Sequence, residues 1–188
     1  MKIQDLQNGD QLFQRNKFNI CDLNTWMSPI IYFGLNLWNW ILKRPVCPVN
    51  HCGTMYKVVG RWYVYEAKMT FRSTLLSKKL ANKDITELYI KRYDLTELQQ
   101  DKMFEKAVCL LGMKYDFWSI LKQVARQLFN MHVDLETNPR KFKNKSLNCS
   151  EANAEQLQTT SHQFNNTKNV SPADLWFDTR SKLIGRLK

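Results

Sequence analysis

The sequence predicts an α+β fold, an antiparallel sheet flanked by helices. Three observations point there. Short β-rich runs crowd the first half of the chain, amphipathic helical runs follow them, and two adjacent strand candidates at 51–57 and 61–68 are joined by a turn-length gap, as antiparallel neighbours are. At 188 residues the chain is expected to be one domain over 1–188, carrying an apolar insertion at about 20–45.

The elements are read in chain order. Asn8-Gly9-Asp10 is a turn signal, and Gln11-Leu12-Phe13 behind it opens a short strand. Residues 26–42, from Trp26 to Leu42, form the most apolar run, closed by Pro45 and Pro48. The run sits at the lower length limit for crossing a bilayer and carries Ser28, Pro29, Asn36 and Asn39, so a core or lid helix is the first expectation. Peripheral membrane contact through it is the second, favoured by its Trp and Tyr content and by Lys43 and Arg44 beside it. The runs 51–57 and 61–68, rich in Tyr, Val and Trp around Gly60, read as a β-hairpin, and 87–92 as a further strand.

Between Leu95 and Leu111 the spacing of Leu98, Met103, Ala107, Leu110 and Leu111 is helical, with Asp94 or Thr96 as cap. Residues 117–131 repeat that pattern with Trp118, Leu121, Val124, Ala125, Leu128 and Phe129. A basic loop at 138–145 then leads to a helix expected from Cys149 to about Gln158, capped by Asn148 or Ser146. Ser171-Pro172-Ala173-Asp174 signals one more helix start.

Charge and cysteine usage narrow the function classes. The formal net charge is +11, from 28 Lys and Arg against 17 Asp and Glu, which favours anionic partners. No nucleic-acid-binding motif accompanies it, so specific nucleic-acid binding is not expected. Five cysteines, at 21, 47, 52, 109 and 149, are too few and too scattered for a disulfide scaffold and suit a reducing compartment. Cys47, His51 and Cys52 lack the further ligands a zinc site needs, so no metal and no cofactor is expected. Met1-Lys2-Ile3-Gln4-Asp5 does not resemble a signal peptide; a cytoplasmic or phage-associated protein is expected, with peripheral membrane association as the alternative.

Three residues carry candidate chemistry. Cys149 falls in the first turn of its helix, where the dipole and free amides favour a thiolate and can bind an oxyanion. If the hairpin loop is Val59-Gly60, Glu66 lies opposite Gly53, and period-two alternation places His51, Gly53 and Glu66 on one face. His51 and Glu66 are then diagonal neighbours, and a carboxylate that orients an imidazole is what a cysteine–histidine pair needs as its third member. Gly53 beside them leaves space for another group on that face. Alternation points Cys52 away from His51, into the core. His162, which follows Cys149 in a polar loop, is the reserve base; His132 ends a helix and has no paired acid.

Six stretches strengthen this reading: Leu6-Gln7-Asn8-Gly9-Asp10-Gln11-Leu12-Phe13, Asn50-His51-Cys52-Gly53, Tyr65-Glu66-Ala67, Gly112-Met113-Lys114-Tyr115-Asp116, Asn148-Cys149-Ser150-Glu151 and Ser171-Pro172-Ala173-Asp174-Leu175. Their order resembles the circularly permuted NlpC/P60 group of papain-like cysteine hydrolases, of the YiiX/YaeF-like kind, in which the cysteine helix follows the catalytic hairpin. The resemblance implies Cys149 as nucleophile, His51 as base and Glu66 as orienting carboxylate. It implies an amide or peptide substrate, cell-wall or lipid-linked material included, cleaved through a thioester. Lipid acyl hydrolysis or transfer is the nearest alternative, and a non-catalytic basic binding module of the same fold is the other. The 20–45 segment departs from the group's pattern in length and apolarity.

Overall fold

The computed structural model describes residues 1–17, 27–41, 43–116 and 146–188. The helix expected at 117–131, the basic loop at 138–145, and Trp26, Leu42 and His132 lie outside the described residues.

The sheet grows from the hairpin. β2 (His51–Val58) and β3 (Arg61–Ala67) pair antiparallel from Val58↔Arg61 to Thr54↔Tyr65, with Val59 and Gly60 between them. Both turn residues have positive φ, 47° at Val59 and 74° at Gly60, the conformation a two-residue hairpin turn requires. β1 (Gln11–Asn16) pairs with β2 on one side and with β5 (Ile85–Tyr93) on the other. β4 (Phe71–Leu75) and β8 (Ser181–Arg186) close the two edges, giving the order β4-β3-β2-β1-β5-β8, antiparallel throughout. A separate parallel pair joins β6 (Lys114–Tyr115) to β7 (Ser146–Leu147).

Both faces of the sheet are covered, which is why four successive residues of β1, Gln11 to Gln14, are buried. On one face Leu12, Met55, Val64, Leu88 and Ile90 pack with Leu76 of α2 (Leu76–Ala81). On the other, Phe13, Cys52, Tyr56 and Tyr65 pack with Met103, Ala107 and Leu110 of α3 (Glu97–Leu110) and with Cys149, Ala152 and Leu157 of α4 (Cys149–Leu157). α1 (Met27–Ile41) precedes β2, and α5 (Pro172–Phe177) precedes β8.

Caps set the helix starts. Thr96 Oγ accepts from the Gln99 N–H while the Gln99 side chain accepts from the Thr96 N–H; Ser171 and Asp174 do the same for α5, with Pro172 at its first position. Leu98, expected on the inner face of α3, is 65% exposed, because the buried stripe runs through Met103, Ala107 and Leu110. β4, α2 and β8 are additions to the elements expected from sequence.

Candidate active site

Cys149 is the first residue of α4, and Asn148 is its N-cap. The Asn148 side-chain oxygen accepts from the Glu151 N–H at 2.8 Å, and the single proton of the Ser150 hydroxyl faces both that oxygen at 2.9 Å and the Val170 carbonyl at 2.7 Å. This buried network fixes where the helix begins and hence where the Cys149 thiol stands. α4 is bound down onto the sheet by Thr54 Oγ1, 3.3 Å from Asn153 Oδ1, and by the Tyr56 hydroxyl, which donates to Gln156 Oε1 at 3.1 Å.

His51 opens β2 and pairs with Gln14 of β1. Its Nε2 lies 2.7 Å from Glu66 Oε2, across the hairpin. The space expected beside Gly53 is filled: a Cβ there would meet Val64 Cγ1 at 2.8 Å and Glu66 Cβ at 3.1 Å. Glu66 is fully buried, and Oε2 also accepts from Lys79 Nζ of α2 at 2.5 Å. Lys79 in turn donates to Gln14 Oε1 at 2.5 Å.

The imidazole and the Cys149 sulfur also act on each other's ionisation, each shifting the other toward its charged form. His51 stands at the first residue of its strand, bonded to Glu66 and within electrostatic range of Cys149. With Nε2 committed to Glu66, Nδ1 is the nitrogen left for the thiol.

Cys52 lies in the core, as alternation predicts, and has an additional influence on the site. It is on the face opposite His51, and α4 packs on that face, so that Cys52 acts on the ionisation of Cys149. Tyr115 is a further residue that the motifs contained but did not assign. The pairing of Tyr115 with Leu147, two residues before Cys149, brings its phenol into electrostatic range of the Cys149 sulfur. Lys79 had no sequence signal, since lysine is by default a surface residue. His162 does not join the site: its ring packs edge-on to Tyr93 at 4.8 Å and bonds the Thr160 hydroxyl.

These contacts move the ionisation of each group. The Cys52 thiol, then the His51 charge and hydrogen bond, hold the Cys149 thiol well below its ordinary range against the opposing effect of burial. Burial lowers the His51 value, but the Cys149 sulfur and the Glu66 carboxylate outweigh it and leave His51 raised. Burial opposes ionisation of Glu66 too; the Lys79 charge and the His51 hydrogen bond prevail, and the carboxyl is held well below its usual range. Tyr115 is kept protonated by burial and then by the charge on the sulfur. A thiol primed to ionise, an imidazole able to take its proton, a buried carboxylate behind it and a phenol able to donate form an arrangement suited to acyl transfer.

Fold and topology define an α+β protein, a six-stranded antiparallel sheet flanked by helices, and that fold is similar to a solved one. The solved structure of metalloprotein yiiX from Escherichia coli O157:H7 superposes with a TM-score of 0.62, covering 96% of this chain and 97% of that one at 16% identity. No family model and no curated protein sequence matches the chain. A metal does not fit the residues here: Glu66 Oε2 is taken by an ammonium and an imidazole, and the described residues contain no cluster of three His, Cys, Asp or Glu arranged to hold an ion.

Proposed function

We propose that the protein is a cysteine-dependent hydrolase of amide or peptide bonds, acting through a thioester on Cys149. One observation carries the reading: the Cys149 sulfur, at the N-terminus of α4, lies within electrostatic range of an imidazole whose Nε2 is held at 2.7 Å by a buried carboxylate. The YiiX-like fold is compatible with it.

In the reaction the Cys149 thiolate attacks the carbonyl carbon, forming the C–S bond and moving the carbonyl electron pair onto oxygen. The Cys149 backbone N–H and the Tyr115 hydroxyl receive that oxyanion. Its collapse breaks the C–N bond as His51 Nδ1–H protonates the leaving nitrogen. Water then gives a proton to Nδ1 and attacks the thioester, releasing the acid and the thiolate. Glu66 keeps the ring oriented through Nε2 in both halves. A panel of peptide and amide substrates tests this with Cys149→Ala, which is expected to abolish turnover and keep the wild-type melting curve. Undiminished hydrolysis by that variant overturns the mechanism.

A specific surface favours a second reading, lipid acyl hydrolysis or transfer at an anionic membrane. On α1 and just after it, Phe33, Trp40, Ile41 and Val46 are exposed, Trp40 by 76%, with exposed Lys43 and Arg44 among them. Four residues separate Val46 from His51. Among the described residues no helix is long and apolar enough to cross a membrane, so such contact is peripheral.

A further inference from the structure

Resting on the proposed hydrolase reading, we propose that Lys79 is a positioning residue for the Cys149–His51 pair: bound to Glu66, it balances the charge of the buried site and limits how tightly the carboxylate holds the His51 proton.

The geometry is unusual for a lysine. Its side chain is 2% exposed, and Nζ lies 2.5 Å from both Glu66 Oε2 and Gln14 Oε1. The Gln14 amide is turned to accept, because its Nε2 is spent on Asn16 Oδ1 at 2.8 Å. Glu66 Oε1 has no hydrogen-bond partner among the described residues, so ammonium and imidazole converge on one oxygen. Sharing it, they stand roughly 5 Å apart or closer, well inside the range at which one charge alters another group's ionisation.

Charge balance supplies the reason. A working thiolate–imidazolium pair is neutral as a whole, and Glu66 adds one buried negative charge. Lys79 cancels it, so all four groups ionise with no net buried charge. Without the ammonium, Glu66 is an uncompensated buried carboxylate and draws the His51 proton more strongly, while catalysis needs that proton released to the leaving group. The other groups facing this set are Cys149 beside His51, Cys52 and Tyr115 around Cys149, Lys68 near Lys79 and Glu66, and Arg72 near Lys79. Lys68 and Arg72 remain in any Lys79 variant, so the change isolates one charge.

The chain has three histidines, so His51 can be followed by nitrogen-edited NMR titration of the full-length protein, with His132 and His162 as internal controls. Lys79→Met is expected to raise the His51 midpoint by about one pH unit. Lys79→Gln, which keeps a donor for Glu66 Oε2 and loses only the charge, is expected to do the same. Lys79→Arg restores the wild-type value. A residue that merely filled space would leave the midpoint unmoved. An unchanged midpoint in a folded neutral variant overturns the proposal, and so does loss of fold in both neutral variants, which would make Lys79 a stability residue alone. Alkylation of wild-type Cys149 by iodoacetamide at about pH 6 separates this result from the enzyme reading. A reactive cysteine with an unmoved midpoint sinks only the Lys79 role. An inert cysteine with a moved midpoint sinks the hydrolase and leaves the Lys79–Glu66–His51 coupling standing.

Discussion

Gly53 lies against Glu66 across the β2–β3 hairpin so closely that a Cβ on it would stand 3.1 Å from Glu66 Cβ and 2.9 Å from the Tyr65 carbonyl oxygen. The nearest atom, Val64 Cγ1 at 2.8 Å, belongs to a buried β-branched side chain, so backbone, a paired carboxylate and a stiff methyl all crowd the position. Gly53→Ala is therefore expected to cost about 1–3 kcal/mol by overpacking and to push Glu66 off His51, lowering turnover with it. Urea unfolding and a hydrolysis assay read both effects. An alanine variant as stable and as active as wild type would show that the hairpin gives way freely at this point.

Glu151 makes stability depend on pH. It is 5% exposed in the first turn of α4, and burial first, then the charges of Glu155 and Asp116, push its carboxyl up to about 7. A folded-state value above the unfolded one means that the native protein binds the proton more tightly. The stability is complete below about pH 4.5 and is lost as pH rises toward 7, on the order of 3 kcal/mol in all. Glu151→Gln keeps an oxygen for the Asn148 N–H and removes the charge. It is expected to unfold at higher urea than wild type at pH 8 and at nearly the same urea at pH 5. Parallel behaviour at both pH values would mean that Glu151 is not strained by burial.

Cys52 bears on the nucleophile directly. Its thiol is the largest influence holding the Cys149 value down, and burial keeps Cys52 itself protonated and able to donate. Cys52→Ala removes that donor, so the onset of Cys149 alkylation by iodoacetamide is expected to move to higher pH, with maximal reactivity at alkaline pH retained. Mass spectrometry of the Cys149 peptide across a pH series measures it. An onset that stays in place would assign the lowered value to His51 and the helix terminus alone.

Much of this site follows from local rules, and the exceptions have physical causes. Period-two alternation and a two-residue turn at Val59-Gly60 suffice to bring His51 near Glu66, and Asn148 followed by Glu151 marks the start of α4. Alternation also puts Cys52 on the face opposite His51. What alternation cannot reveal is that α4 packs on that opposite face and brings Cys149 within electrostatic range of His51, the strand's first residue. The edge strands β4 and β8, FRSTL and SKLIGR, carry the polar and charged residues that protect sheet edges, and so read as loop. Lys79 hides for the opposite reason. Only the tertiary approach of α2 to β3 brings it a carboxylate, and nothing in the SKK run distinguishes it from its exposed neighbour Lys78.

The apolar surface of α1 gives the last prediction. Phe33 is 68% and Trp40 76% exposed, an arrangement that leaves aromatic area in water unless something covers it. Lys43 and Arg44 follow the helix and the whole chain carries +11, so an anionic bilayer suits both the apolar and the charged parts. The protein is expected to pellet with vesicles containing phosphatidylglycerol and to pellet weakly with pure phosphatidylcholine, with added salt weakening the first. Phe33→Ser with Trp40→Ser is expected to lower vesicle affinity by about tenfold or more, since even partial burial of two aromatic side chains exceeds the 1.4 kcal/mol that a factor of ten represents. Alkylation of Cys149 in that double variant is expected to match wild type, because both side chains lie outside the site. Equal and negligible pelleting of the two proteins on anionic vesicles would remove the membrane reading, and with it the lipid alternative for the substrate.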